Sequence, residues 1–244
     1  MTVLSDKIAT NAKTLWTVAW NERTGQVVPS TDEIAHSNGA VKVEATYLYA
    51  DLADSTEMQK LYGSDFAARV HRMYLGGACE VIRAQGGEIR SFDGDRVMGI
   101  FMGKRMRNDA TSAALKINWV VCEVINKLTI NRKRSNGDWW KVSHGVGIDS
   151  GEALIVRAGV RNRPGGSNHN DLISIGAAPA IAAKLSGLRN VGGATIVTDN
   201  VYRYLQDSTK LSTKDKTNMF KGPQTRDVDP YKVTTYTSSW WTRP

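Results

Sequence analysis

The chain is poor in the residues that build several common kinds of site. It has two cysteines in 244 residues, Cys79 and Cys122. Both fall inside apolar helical patterns, which reads as buried thiols and argues against a disulfide framework or a thiolate metal centre. Its four histidines, His36, His71, His144 and His169, are dispersed without metal-ligand spacing, and no Ser-His-Asp order is visible. No Walker-type phosphate loop is present. There is no run of about eighteen apolar residues, so no membrane-spanning helix is expected. No basic segment followed by an apolar core opens the sequence, and a cytoplasmic protein is the expectation. Lysine and arginine outnumber the acids 32 to 24, for a net charge of +8. The excess is scattered, with only short clusters at Lys104-Arg105-Met106-Arg107 and Arg132-Lys133-Arg134. That argues against a nucleic-acid stripe and leaves a solvated basic surface or a small polyanionic ligand.

What is present alternates between strand and helix signals. Residues 3–20 read as a short amphipathic helix and 21–40 as a polar loop. Val41 to Ala50 is rich in β-branched and aromatic residues and reads as a strand. Ser55 and Thr56 offer caps for a following helix, and Asp54 is a further capping candidate. A second helix is expected from Ser64 to about Ala84, closed by Gly86-Gly87. Glu88 to Phe92 and Val97 to Met102 form a hairpin about Asp93-Gly94. A long helix follows from Asp109 to about Thr129, then a basic loop at 131–138. Strands are expected at Trp139 to Ile148 and Ala153 to Val160, separated by a turn at Asp149-Ser150-Gly151-Glu152. A loop at Arg161 to Asn170 precedes a strand to Ile175, a helix from Ala177 to Leu188, and a strand from Thr195 to Thr198. Last come a short helix to Leu205 and strands at about Asn218 to Lys221 and Tyr231 to Thr237. This order is βαββαβ with an appended half: an α/β (α+β) sandwich with helices on a mainly antiparallel sheet.

Two aspartates stand out in this frame. Asp51 ends the first core strand, and Asp95 sits in the hairpin turn. About forty residues of mostly helical pattern lie between them, so a strand, a helix and a hairpin can bring both carboxylates to neighbouring strand ends. Two carboxylates at one point repel unless cations lie between them. Paired hard cations on carboxylate oxygens are common equipment for acting on a nucleoside triphosphate. Asp93 is the weaker candidate, because in an Asp-Gly turn the side chain tends to bond its own backbone.

The order Tyr49-Ala50-Asp51-Leu52, Asp93-Gly94-Asp95, Val146-Gly147-Ile148-Asp149-Ser150-Gly151-Glu152 and Ile173-Ser174-Ile175-Gly176 resembles the class III nucleotidyl cyclase catalytic domain, a ferredoxin-like, palm-type fold. The resemblance covers about residues 41 to 237. It leaves residues 1–40 as an amino-terminal extension and 238–244 as an aromatic tail. It implies a homodimer with composite sites. Two divalent cations, Mn2+ or Mg2+, would be held by Asp51, Asp95 and the Leu52 carbonyl, with Lys221, before Gly222, on phosphate.

The sequence departs from purine cyclases at the base-recognition positions. Ser91 and Ile173 stand where those enzymes carry a base-reading lysine and an aspartate or threonine. Ala180 stands in place of the ribose asparagine, and Lys184 in place of the transition-state arginine. With Tyr49 before Asp51, with the Arg90-Ser91-Phe92-Asp93-Gly94-Asp95-Arg96 hairpin, and with the tail Ser239-Trp240-Trp241, the chain resembles the pyrimidine cyclases of the Pycsar anti-phage systems. That implies cyclic UMP or cyclic CMP as a signal to a separate effector. Tyr49 would exclude two-ring bases by volume. Lys184 would neutralise the α-phosphate, and Ser55 and Thr56 would meet the triphosphate at a helix start. Of Arg90 and Arg96, one would reach the base or a phosphate. UTP is the expected substrate, with CTP, ATP or nucleotide binding without catalysis as alternatives.

Overall fold

The fold is organised around two long strands. In the computed structural model, residues 2–129, 137, 140–160 and 169–244 are described. The elements in order are α1 (Val3–Thr17), β1 (Asn21–Thr24), a 3-10 turn (Thr31–Glu33), β2 (Gly39–Leu52), α2 (Ser55–Ala84), β3 (Glu88–Asp93), β4 (Arg96–Phe101), α3 (Met106–Trp119), a π-helical turn (Val120–Ile125), α4 (Asn126–Leu128), β5 (His144–Val160), β6 (His169–Ile175), α5 (Ala177–Ser186), β7 (Thr195–Thr198), α6 (Asp199–Tyr202), α7 (Asp207–Lys210), β8 (Lys221–Val228) and β9 (Tyr231–Ser238). Most of the basic loop read at 131–138, and residues 161–168 of the next loop, lie outside the described residues.

One mixed sheet runs β3-β4-β2-β5-β7-β9-β8, with β1 added to the start of β2 and β6 to the end of β5. The β1–β2 and β5–β7 pairs are parallel and the others antiparallel. Side chains alternate along a strand, so β2 serves two layers. Leu48, Ala50 and Leu52 enter the core with Met58, Val70, Tyr74 and Ile82 of α2 and with Ala110, Ala114 and Ile117 of α3. Val41, Val43, Ala45 and Tyr47 enter a second cluster with Met98, Ile155 and α5 residues Ala178 and Ala182. The sheet is therefore covered on both faces.

Several local expectations are corrected. Asp149-Ser150-Gly151-Glu152 is no turn. It lies inside the continuous β5, opposite Tyr47, Thr46, Ala45 and Glu44. Its polar groups are satisfied within the sheet. Ser150 accepts from the Thr46 hydroxyl at 3.0 Å and donates to the Ala45 carbonyl at 3.2 Å, and Asp149 accepts from the Thr198 hydroxyl. The segment 21–40 is more than a loop. It contributes β1 and places Ile34, 1% exposed, in the core. All four β1 residues are exposed, so no alternation announces the strand.

Ser55 and Thr56 are the first helical residues of α2 and not its caps; Asp54 holds the N-cap position at φ 55° without a side-chain cap bond. α2 is interrupted at Gly63, whose φ of 82° suits glycine alone, just before the expected restart at Ser64. The strand read at 218–221 is a single bridge, and β8 instead runs from Lys221 to Val228. Gly222 and Pro223 fall in a register shift on this edge strand, where proline is tolerated.

Candidate active site

The end of β2 is where the charged residues gather. Asp51 is 6% exposed. It lies directly opposite Arg96 of β4 on one side and Gly145 of β5 on the other. The hairpin returns Asp95 to the same point, where its carbonyl accepts from the Leu52 N–H at 3.3 Å. Asp51, Leu52 and Asp95 are therefore backbone neighbours at the ends of adjacent strands, and the groups they could offer a cation are carboxylate and carbonyl oxygens. That all-oxygen donor set suits hard divalent cations. Among the described residues, no group of three or more His, Cys, Asp or Glu gathers as an alternative cage.

Asp51 is already surrounded by positive charge from the protein itself. Arg96 Nε lies 3.5 Å from its Oδ1, in ion-pair range, without hydrogen-bond geometry. Arg189 Nη2 donates to its Oδ2 at 2.8 Å. Arg189 was not among the residues singled out from sequence. It reaches the site because α5 lies close on β5. A Cβ at Gly147 would stand 2.2 Å from the Ala182 carbonyl oxygen, and one at Gly145 would stand 2.2 Å from that of Ser186 and 2.8 Å from Arg189 Nη1. The only sequence signal was two glycines at alternate positions of a strand, which marks a close approach without naming what approaches.

Tyr49 precedes Asp51 by two residues and so shares its face, the one covered by α5. Ser91, Met98, Tyr49 and Gly147 stand across from one another on four consecutive strands. Tyr49 is half-buried. Burial raises its phenol pKa, with nearby Arg96 opposing and Asp93 adding to the rise. Arg90 falls at the register shift between Ile89 and Ser91, a bulge of the kind that re-aims a side chain beside a site. Its Nε is buried without a hydrogen-bond partner. Ser55 and Thr56 open α2 three residues beyond Leu52, with their N–H groups at the helix start.

Behind this end lies a second polar group that sequence reasoning left unused. His144 pairs with Leu52 across the sheet and is fully buried. Its Nε2 is 3.0 Å from Asn118 Oδ1, and its Nδ1 has no hydrogen-bond partner. Burial, aided by Arg189, lowers its pKa to about 3, so the ring is neutral at pH 7. It meets Tyr74 edge-on at 5.8 Å. Burial, reinforced by Asp51, raises the Tyr74 phenol well above its usual value. Asn118 also donates to the carbonyls of Ser239 and Trp240, at 3.1 and 3.0 Å, and so ties the aromatic tail to this layer.

Three sequence candidates lie elsewhere in the chain. Ile173 is opposite Val156 of β5, eleven residues along that strand from Gly145, or about 35 Å at strand rise. Lys221 opens β8, four strands from β2, or about 19 Å at strand spacing. Lys184 is exposed on α5, which turns Ala182, Leu185 and Ser186 inward. One chain thus gathers Tyr49, Asp51, Leu52, Ser55, Thr56, Arg90, Ser91, Asp95 and Arg96 at one end, leaves Ile173 and Lys221 on other parts of the surface, and exposes Lys184 on the outer side of α5. No helix among the described residues is long and apolar enough to cross a membrane.

Comparison with known proteins accords with this geometry. No family model matches the chain. A uridylate cyclase of Rhodovulum sp. (strain MB263) is 36% identical, covering 99% of this chain and 98% of that protein. A uridylate cyclase of Xanthomonas perforans is 35% identical over 86% of this chain and 87% of its own length. Among solved structures, the guanylyl cyclase Cya2 superposes with a TM-score of 0.65 over 83% of this chain and 95% of its own, at 18% identity, a likeness of fold. Full-length identity above one third, on a shared fold, places this enzyme in a family: the chain belongs to the uridylate cyclases, built on the class III nucleotidyl cyclase fold.

Proposed function

We propose that the protein is a homodimeric, divalent-cation-dependent pyrimidine cyclase that converts UTP to cyclic UMP and pyrophosphate. The observation that supports this reading is that Asp51, Leu52 and Asp95 are backbone neighbours at one strand end, with Tyr49 on the same face of β2 as Asp51. Cyclisation needs the ribose 3′-oxygen in line with the α-phosphorus as pyrophosphate leaves, and positioning and charge neutralisation supply most of the rate. Asp51, Asp95 and the Leu52 carbonyl would hold two cations, Mn2+ or Mg2+, which when bound supply Lewis acidity at the reacting and leaving oxygens. The N–H groups of Ser55 and Thr56 bind the phosphate chain. Tyr49 limits the pocket to one ring, with Ser91, Arg90 and Arg96 at its border.

Lys184, Ile173 and Lys221 serve the site of the second copy. The distance of Ile173 and Lys221 from Asp51 within one chain supports this division, and Lys184 is assigned on the resemblance alone. Lys184 brings a point charge to the α-phosphate where a guanidinium would bring a fork. Ile173 offers the base an apolar contact, and Lys221 binds phosphate. In the cell we read the product as a cytoplasmic signal to a separate effector in anti-phage defence, on the strength of the resemblance to pyrimidine cyclases.

Incubation with each of the four nucleoside triphosphates and Mn2+, with products separated by chromatography, tests the chemistry. Cyclic UMP from UTP is expected as the main product. Cyclic CMP or cyclic AMP as the main product replaces the substrate assignment, and no cyclic product from any of the four reduces the protein to a nucleotide-binding module.

A further inference from the structure

Arg189 stands between two chemical tasks. Its Nη1 is anchored on the carbonyls of Ser186 and Leu188, at 2.6 and 3.2 Å, at the end of α5. Its Nη2 holds Asp51 at 2.8 Å. A guanidinium has five N–H donors, and these three bonds leave donors for an anion. The side chain also lines a cavity of about 510 Å³ with Lys141, Asp54, Asn118, His144 and Asn190. Arg189 is the link between that space and the Asp51 carboxylate, which is not itself part of the wall, and the wall carries two cationic side chains, Arg189 and Lys141. A divalent cation on Asp51 draws electron density from the oxygen that Arg189 holds and repels the guanidinium across a few ångströms. A phosphate chain bound at the start of α2 and within reach of Arg189 would take up the donors that Arg189 releases, since arginine matches phosphate as well as carboxylate.

We propose that Arg189 is a positioning residue that exchanges partners, holding Asp51 before cations bind and a phosphate of the substrate afterwards, and so makes cation and triphosphate binding mutually dependent. The proposal rests on Asp51 being a cation ligand, as read above. Thermodynamic linkage makes the dependence reciprocal: if pyrophosphate draws Arg189 away, Mn2+ binds more tightly, and the converse holds by the same factor.

The test measures binding, not turnover. Mn2+ affinity is read by titration calorimetry or by the spin-resonance signal of free Mn2+, with and without pyrophosphate, on the full chain and on Arg189→Met, Arg189→Lys and Asp51→Asn. Without pyrophosphate, Arg189→Met should bind Mn2+ about threefold to tenfold more tightly than wild type, because a competing charge is gone. The tightening of Mn2+ binding by pyrophosphate should shrink about tenfold in that variant. Mn2+ also binds pyrophosphate in solution, so the difference between proteins is the quantity of interest. Arg189→Lys keeps the charge but loses the two-pronged grip, and should fall between the two. If Arg189→Met does not fold, tighter Mn2+ binding by Arg189→Lys supports the exchange and unchanged binding overturns it. Equal affinity and equal pyrophosphate enhancement in wild type and both arginine variants overturn the exchange while leaving the cation site standing, provided Asp51→Asn has lost Mn2+. If Asp51→Asn binds Mn2+ as wild type does, the cation reading of Asp51 fails and the exchange fails with it.

Discussion

The two ends of β2 share β5 as a neighbour, with β1 on the other side toward Gly39 and β4 toward Leu52, and they have opposite characters. Toward Gly39 the polar groups are closed. Lys42 sits between Glu22 and Glu152 at 3.4 and 3.5 Å, Thr46 is bonded to Ser150, and Arg157 of the facing strand is held by Asn170 at 2.6 Å and by Asp32 at 3.5 Å. Toward Leu52 the charges are more deeply placed and less completely answered. Among the described residues, three of the seven buried side-chain atoms without a hydrogen-bond partner belong to Tyr74, Arg96 and His144, around Asp51. A buried polar group with no partner costs about 1–3 kcal/mol, so such a concentration persists only where something else requires it. The closed end stabilises the sheet. The open end keeps its bonding capacity for a ligand.

The largest test of that contrast is to remove a carboxylate from the open end. Asp51→Ala or Asp95→Ala should lower cyclic UMP formation by at least about a thousandfold, several kcal/mol of barrier. Retention of more than a few per cent of activity by either variant removes that residue from the cation site. Next in size is complementation. Inactive Asp51→Ala chains mixed with inactive Lys184→Ala chains should regain activity, since one composite site of each mixed dimer is wild type. Failure to recover activity in verified mixed dimers would mean that each site is built within one chain.

Tyr49→Ala should lower the ratio of cyclic UMP to cyclic AMP formed from equal UTP and ATP by about tenfold, if volume is the main filter. An unchanged ratio in an active variant makes Tyr49 a packing residue and turns attention to Ser91, Arg90 and Arg96. At the closed end, Thr46→Val should do the reverse of Asp51→Ala. It should cost about 1–2 kcal/mol in denaturant unfolding and leave turnover within about twofold, and a large loss of turnover would erase the distinction between the ends.

A further effect concerns pH. The His144 pKa is lowered by burial to about 3 from an ordinary 6.5, so the unfolded chain takes up a proton that the folded chain refuses. The stabilisation is fully present above pH 6.5 and is lost as pH falls toward 3, at no more than about 1.4 kcal/mol per pH unit. His144→Asn should flatten the pH dependence of the urea midpoint between pH 6.5 and 4.5, and an unaltered slope would show that carboxylates alone set it.

The open end was legible because its residues lie close together in sequence or in strongly marked elements. Asp51 ends an unmistakable strand, and Asp-Gly fixes the hairpin that carries Asp95. Their meeting follows from local rules. Arg189 was not legible. It lies 138 positions from Asp51 in a turn after a helix, where an arginine is ordinarily a solvated surface residue. His144 read as one of four dispersed histidines, because burial against Tyr74 and Asn118 is created only when α2 and α3 cover the sheet. The polar run 149–152 was misread for the converse reason, since its partners Thr46 and Thr198 come from distant strands.

The sequence by itself determined the alternation of strand and helix and the placing of two aspartates, Asp51 and Asp95, at strand ends. Periodicity, turn chemistry and side-chain type are local properties and survive being read one residue at a time. Only the tertiary structure decided which charges face Asp51, which polar groups are satisfied, and that Ile173 and Lys221 stand apart from Asp51 within one chain. Those depend on sheet order and on how closely α5 lies on Gly145 and Gly147, and distances between strands and layers are set by packing among residues far apart in the chain.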